Sequence, residues 1–105
     1  MDPKTVQEQR HDLQILDVRE DDEWIAGRIE GSRHIPLGQL SARLGELDQN
    51  QPVVTVCRSG GRASKAAEQL TRAGLTAHTM SGGITRWADD GLPVSTPDGH
   101  PGRVA

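Results

Sequence analysis

The sequence predicts an α/β domain built on a mainly parallel sheet, and three observations carry that expectation. Short apolar runs at 13–18, 52–56 and 75–80 have the length and aliphatic content of buried strands, and helix-patterned segments separate them. Glycines that can stop a helix follow the patterned segments, at Gly27, Gly74 and Gly91. A chain of 105 residues fits one small domain and leaves no room for two cores.

The elements follow in order. Asp2-Pro3 reads as an N-cap with proline at the first helical position, opening a short helix to about Arg10. Leu13 to Val18 is a buried strand by composition. Arg19 to Ala26 carries acids early and Trp24 and Ile25 late, which suits a helix that Gly27 ends. Ser32 to Pro36 supplies a brief edge strand, with Pro36 stopping the ladder. Leu37, Leu40, Leu44 and Leu47 stand three or four apart and predict an amphipathic helix over 37–47. Pro52 to Val56 is the clearest strand, and Cys57 stands immediately after it. Ala63 to Ala73 is rich in helix formers, Leu75 to Met80 predicts a further strand, and Ser81-Gly82-Gly83 turns into a last helix through Trp87. Domain boundaries are expected at residues 1–94, with 95–105, rich in Pro and Gly, as a flexible tail.

Composition narrows the function classes. Hydrophobic residues make up 33% and aromatics 2%, so the core is expected to be aliphatic apart from two Trp. A net charge of −3 argues against a general affinity for nucleic acid or anionic lipid. No apolar run approaches the roughly 20 residues that span a bilayer, and the polar N-terminus lacks a secretory pattern, so a cytoplasmic location is expected. One cysteine excludes an internal disulfide and a Cys-X-X-Cys pair, and the four scattered His give no metal-ligand spacing. No metal or cofactor is expected, and a lone thiol must pass whatever it carries to an outside acceptor.

In parallel α/β sheets, sites lie beyond the carboxyl ends of the strands. Cys57 lies at that end of one predicted strand, and Asp17 and Arg19 lie near that end of another. The segment Cys57-Arg58-Ser59-Gly60-Gly61-Arg62-Ala63 joins strand to helix through a turn with two glycines. Glycine permits the positive φ angles that aim successive N–H groups into one concavity, and the helix start adds its own free N–H groups. Arg58, Arg62 and Lys65 add local positive charge. This environment favours the thiolate, which is the nucleophile. A single cysteine is more commonly a small buried core residue, but the glycine turn, the three cations and the helix start together argue for chemistry here.

The loop CRSGGR resembles the Cys-x4-Arg loop of the rhodanese family. Leu16-Asp17-Val18-Arg19 matches the family's LDVR segment, and Glu23-Trp24 with Gly27-Arg28-Ile29-Glu30-Gly31-Ser32 is similar to E-(Y/W)-x-x-GHIxGA. His34-Ile35-Pro36-Leu37 resembles NIPL, and Met80-Ser81-Gly82-Gly83 with Trp87 and Gly91-Leu92-Pro93-Val94 resembles LxGGxxxW followed by GxPV. These segments cover roughly residues 13 to 94 in order, and together they are far more specific than any one of them. Arg28 stands where the family usually has His, and the family's opening strand is short or absent.

The resemblance implies a single rhodanese-like domain, with helices on both faces of a mainly parallel sheet. It implies that Cys57 takes a sulfane sulfur from a small anionic donor such as thiosulfate, then yields it to cyanide or a thiol, small or protein-borne. Arg58, Ser59, Gly60, Gly61, Arg62 and Ala63 would surround the persulfide, with Arg62 facing the site and Arg58 on its rim. Asp17 and Arg19 could support the loop, or serve structurally through an ion pair with Glu23 or a helix cap. Two other readings stay open. One is a persulfide carrier with little small-molecule turnover. The other is a cysteine-dependent phosphatase or arsenate reductase, whose cradles are one residue longer between Cys and Arg.

Overall fold

The computed structural model describes residues 1–105. Four strands, β1 (Gln14–Asp17), β2 (Arg33–His34), β3 (Val53–Val56) and β4 (Ala77–Thr79), form one sheet in the order β2-β1-β3-β4. Every pairing is parallel. The four helices are α1 (Pro3–Gln9), α2 (Asp21–Ala26), α3 (Gly61–Arg72) and α4 (Gly83–Asp89).

Side chains alternate across the sheet, and each face has its own core. Leu16, Val18 and Val53 pack with Ala63, Ala66 and Leu70 of α3 and with Leu40 and Leu47. Ile15, Val54 and Val56 pack on the other face with Val6 of α1 and Ile84 and Trp87 of α4. Helices therefore cover both faces, as parallel sheets require. Trp87 is fully buried, and its indole N–H donates to the Pro93 carbonyl at 2.9 Å. Thr55, on the α3 side, donates its hydroxyl proton to the Ala63 carbonyl at 2.7 Å, tying β3 to the helix that follows it. No helix is long and apolar enough to cross a membrane.

Local chemistry explains the helix ends. The Asp2 carboxylate accepts the Thr5 N–H at 2.8 Å, and Pro3 opens α1. Before α1 only Met1 lies beside β4: its ammonium donates to the Thr79 carbonyl at 3.0 Å, and its carbonyl accepts the Ser81 N–H at 2.7 Å. Helix α2 starts two residues later than the sequence suggests. Arg19 is drawn into the interior by Asp17, and Glu20 becomes the N-cap in a reciprocal capping box with Glu23.

One expectation is corrected, and another is met by a different backbone geometry. The leucine stripe at 37–47 does not form a continuous helix; it forms two 3₁₀ turns, Leu37–Gln39 and Leu44–Glu46. Gly38 and Gly45 weaken a helix there, and the short turns still bury Leu40 and Leu47. Gly27 ends α2, but with φ 172 it is extended rather than left-handed. Its glycine identity has a packing reason instead. A Cβ there would stand 2.5 Å from Val94 Cγ1 and 2.8 Å from the Arg103 nitrogen.

The chain after residue 94, expected as a flexible tail, crosses this spot in the structure. Ser95 bridges Arg28 and Pro101 in antiparallel fashion. The Gly102 N–H donates to the Val94 carbonyl at 2.7 Å, and the Arg103 N–H to the Ala26 carbonyl at 3.0 Å.

Candidate active site

The site grows from the end of β3. Val53, Thr55 and Cys57 alternate toward the α3 face, so the thiol continues the core and is only 1% exposed. Cys57 is thus buried, as a single cysteine most commonly is. The chain then turns through Gly60, whose φ of 131 is open to glycine, while Gly61 needs no such angle. That turn aims the Gly60 N–H at Cys57 Sγ, 3.0 Å away.

The N–H groups of Arg58, Ser59, Gly61, Arg62 and Ala63 have no acceptor within the protein. They line the strand-to-helix turn and the first turn of α3, a 12-residue helix whose positive dipole end faces the same place. Nothing stands within 4 Å of where a Cβ would lie at Gly60 or Gly61, so the turn faces open space. The larger clefts of the molecule lie elsewhere, for example against Arg10, Gln14 and Arg33 at the opposite end of the strands.

The helix α4 supplies the floor. The Ile84 and Thr85 N–H groups donate to the Cys57 and Arg58 carbonyls at 2.9 and 3.1 Å. Gly83 makes this approach possible: its φ is 63, and a Cβ would stand 2.5 Å from the Cys57 carbonyl and as close to that of Arg58. Gly83→Ala is therefore expected to cost about 2–4 kcal/mol, from left-handed strain plus overpacking. Chemical denaturation reads that loss; an unchanged midpoint would contradict the close approach.

The two arginines of the loop are already engaged. Arg62 makes a two-pronged pair with Glu23 of α2, Nη1 to Oε1 at 2.7 Å and Nη2 to Oε2 at 3.0 Å. Its side chain is 34% exposed and that of Glu23 15%. Arg62 stands in the first turn of α3, five residues after Cys57, so its guanidinium is a near charge on the cradle's helix side. Arg58 sits on the rim, where its Nε donates to the Ala105 carbonyl at 3.0 Å.

The Arg62 hydrogen bonds hold the Glu23 carboxyl below the ordinary glutamate value, against a smaller opposing effect of burial. A lowered folded-state value means the pair stabilises the fold at neutral pH, and the contribution is lost as pH falls through that value. The stability gap between wild type and Glu23→Gln is thus expected to be full at pH 7 and to close under acid. Thermal melts over a pH series check this; a gap independent of pH would contradict it.

Asp17 and Arg19 converge on each other rather than on the loop. Arg19 Nε and Nη2 donate to the Asp17 carboxylate at 2.9 and 2.8 Å, and Nη2 also donates to the Gly27 carbonyl at 2.8 Å. Both side chains are buried, and neither hydrogen-bonds to residues 57–63. Of the alternatives for them, the ion pair with Glu23 does not form, because Glu23 pairs with Arg62. Beyond this pair, His34 Nε2 lies 2.7 Å from the Arg19 carbonyl, and the His34 ring stacks on Trp24 at 4.7 Å. Arg28 lies over the Trp24 ring, its guanidinium carbon 4.4 Å from the ring centre.

Glu23 is the site residue that a reading of the loop alone misses. Its signal was present in the EW segment, but nothing local says that a carboxylate on α2 meets an arginine 39 positions later.

The fold and site together define a class: a parallel α/β domain with a lone cysteine at a central strand end, beside N–H groups that lack acceptors. Comparison with known proteins makes the class specific. The model of the rhodanese-like domain family matches residues 2–90, and the chain belongs to that family. It is 33% identical over 89 residues to a sulfurtransferase of Allochromatium vinosum, covering 84% of this chain and 83% of that protein. It is 39% identical over 75 residues to the uncharacterized Bacillus subtilis protein YqhL, covering 70% of this chain but 60% of that one. A rhodanese-related protein from Thermoplasma volcanium superposes with a TM-score of 0.86 at 32% identity, over 90% of this chain and 94% of that one.

Proposed function

We propose that the protein is a sulfurtransferase that moves sulfane sulfur from thiosulfate or a similar donor to cyanide or a thiol through a Cys57 persulfide. The observation that carries this reading is the placement of Cys57 Sγ against the Gly60 N–H, inside a turn whose other N–H groups lack partners. In the first step the Cys57 thiolate attacks the outer sulfur of thiosulfate. A new S–S bond forms, the sulfur–sulfur bond of the donor breaks, and sulfite leaves with the electron pair. The persulfide keeps one negative charge, which the turn N–H groups of residues 58 to 62 and the helix start stabilise. In the second step cyanide attacks the outer sulfur, thiocyanate leaves, and the thiolate returns. A thiol acceptor would take the sulfur in the same way. Neither step needs a cofactor or a second cysteine.

Asp17 and Arg19 act at a distance, by fixing the end of β1 and the end of α2, from which Glu23 reaches Arg62. The test is intact mass after thiosulfate treatment, together with thiocyanate formation on adding cyanide. The expected result is a one-sulfur adduct that cyanide discharges. No adduct and no thiocyanate would reject the reading. A stable adduct without turnover would replace the enzyme by a persulfide carrier. No hydrolysis of an aryl phosphate is expected, because the four residues between Cys57 and Arg62 make a tight cradle that suits a sulfur atom better than a phosphate.

A further inference from the structure

Three cations follow Cys57 in sequence, Arg58, Arg62 and Lys65, and the structure cancels one of them. Arg62 is the cation in the first turn of α3, at the helix start that closes the cradle, and both of its terminal nitrogens are committed to Glu23. Glu23 cannot swing away cheaply, since its Oε1 also accepts the Glu20 N–H at 3.1 Å in the α2 capping box. The other charges within reach of the pair are Glu20, which acts on Arg62, and Arg19, which acts on Glu23. Arg19 is itself neutralised by Asp17. The charges around the Arg62–Glu23 pair therefore sum to little, and binding of an anion at the cradle falls to neutral N–H groups and to Arg58 and Lys65, neither of which has an ion-pair partner.

We propose that Glu23 is a specificity-determining residue: by neutralising Arg62 beside Cys57, it sets how strongly the cradle prefers anionic over neutral reagents at the sulfur. This rests on Cys57 being the sulfur acceptor. Its consequence for the reaction is a limit on the advantage of dianionic thiosulfate over donors of lower charge, such as alkyl persulfides. Removing the carboxylate charge exposes the full charge of Arg62 to an incoming donor. The local field then attracts anions more strongly.

The test uses alkylation of the intact protein, which needs no sulfur transfer. Iodoacetate and iodoacetamide attack the same thiolate with nearly the same size, and they differ by one negative charge. The ratio of their rates therefore reads the field at Cys57, independently of how much thiolate is present. Glutamine is the suitable replacement, because it can keep the capping bond while losing the charge.

In Glu23→Gln the iodoacetate-to-iodoacetamide ratio is expected to rise about fivefold at low salt, and the rise should shrink at high salt. In the Glu23→Gln/Arg62→Gln pair it is expected to return near the wild-type value. With thiosulfate as donor, KM should fall severalfold in Glu23→Gln while kcat changes little. An unchanged ratio in folded Glu23→Gln would overturn the proposal, as would a raised ratio that persists in the double variant. Should Glu23→Gln not fold, Arg62→Gln against the double variant decides the same question, since loss of the carboxylate must raise the ratio there too. A protein that shows the ratio change but forms no persulfide would reject the sulfur-transfer reading and leave the electrostatic role of Glu23 standing.

Discussion

Cys57→Ser is expected to reduce thiocyanate formation from thiosulfate and cyanide to the uncatalysed background, and to abolish the one-sulfur adduct. The reason is chemical rather than structural. A serine hydroxyl stays protonated near neutral pH and cannot act as the soft, charged nucleophile that a thiolate provides. The replacement is close in size and its oxygen can accept the Gly60 N–H that now points to Sγ. Little change in thermal stability is expected, so loss of activity would report on the nucleophile and not on folding. The chain has no second cysteine to relieve the loss. Normal turnover in this variant would remove Cys57 from the mechanism.

The largest effect on stability is expected at Asp17. Its carboxylate is the sole charged partner of Arg19, and both lie in the interior, with side-chain exposures of 1% and 0%. Asp17→Ala would leave a buried guanidinium held by the Gly27 carbonyl alone, with Arg19 Nη1 already lacking a partner. Breaking one side of a buried pair typically costs about 3–5 kcal/mol. Small domains have about 5–15 kcal/mol in total, so a large shift of the urea midpoint should follow. The paired replacement Asp17→Leu/Arg19→Met removes both charges and should recover most of the loss. Failure of the pair to recover any stability would mean that the contacts of Arg19 with α2, not charge burial, dominate.

The effect should reach the site through α2. Arg19 fixes the Gly27 carbonyl at the end of that helix, and Glu23 near its start meets Arg62. Asp17→Ala is therefore a positioning change, unlike Cys57→Ser, which leaves every contact of the scaffold in place.

Sequence reading succeeded where the determinants are local. The end of β3 at Val56, the glycine turn and the existence of α3, which begins two residues before the expected Ala63, follow from aliphatic strand content, glycine chemistry and helix formers within 20 residues. Gly74 and Gly91 take the positive φ angles, 92 and 82, of a left-handed helix stop. The stripe at Leu37–Leu47 misled for a related reason. Burial of the leucines was correct, but two short turns satisfy it as well as one helix does, and the periodicity cannot tell them apart.

By itself, then, the sequence determined a parallel α/β domain with one thiol at a central strand end and a ring of N–H donors around it. Those features are set by neighbours along the chain. Only the tertiary structure decided which charges act on that thiol. Arg62 meets Glu23 across 39 positions, Arg58 meets the Ala105 carbonyl across 47, and Asp17 takes Arg19 inward away from both. Charge pairing depends on distance in space, and of the three cations that follow Cys57 in sequence, the one at the start of α3 is already neutralised.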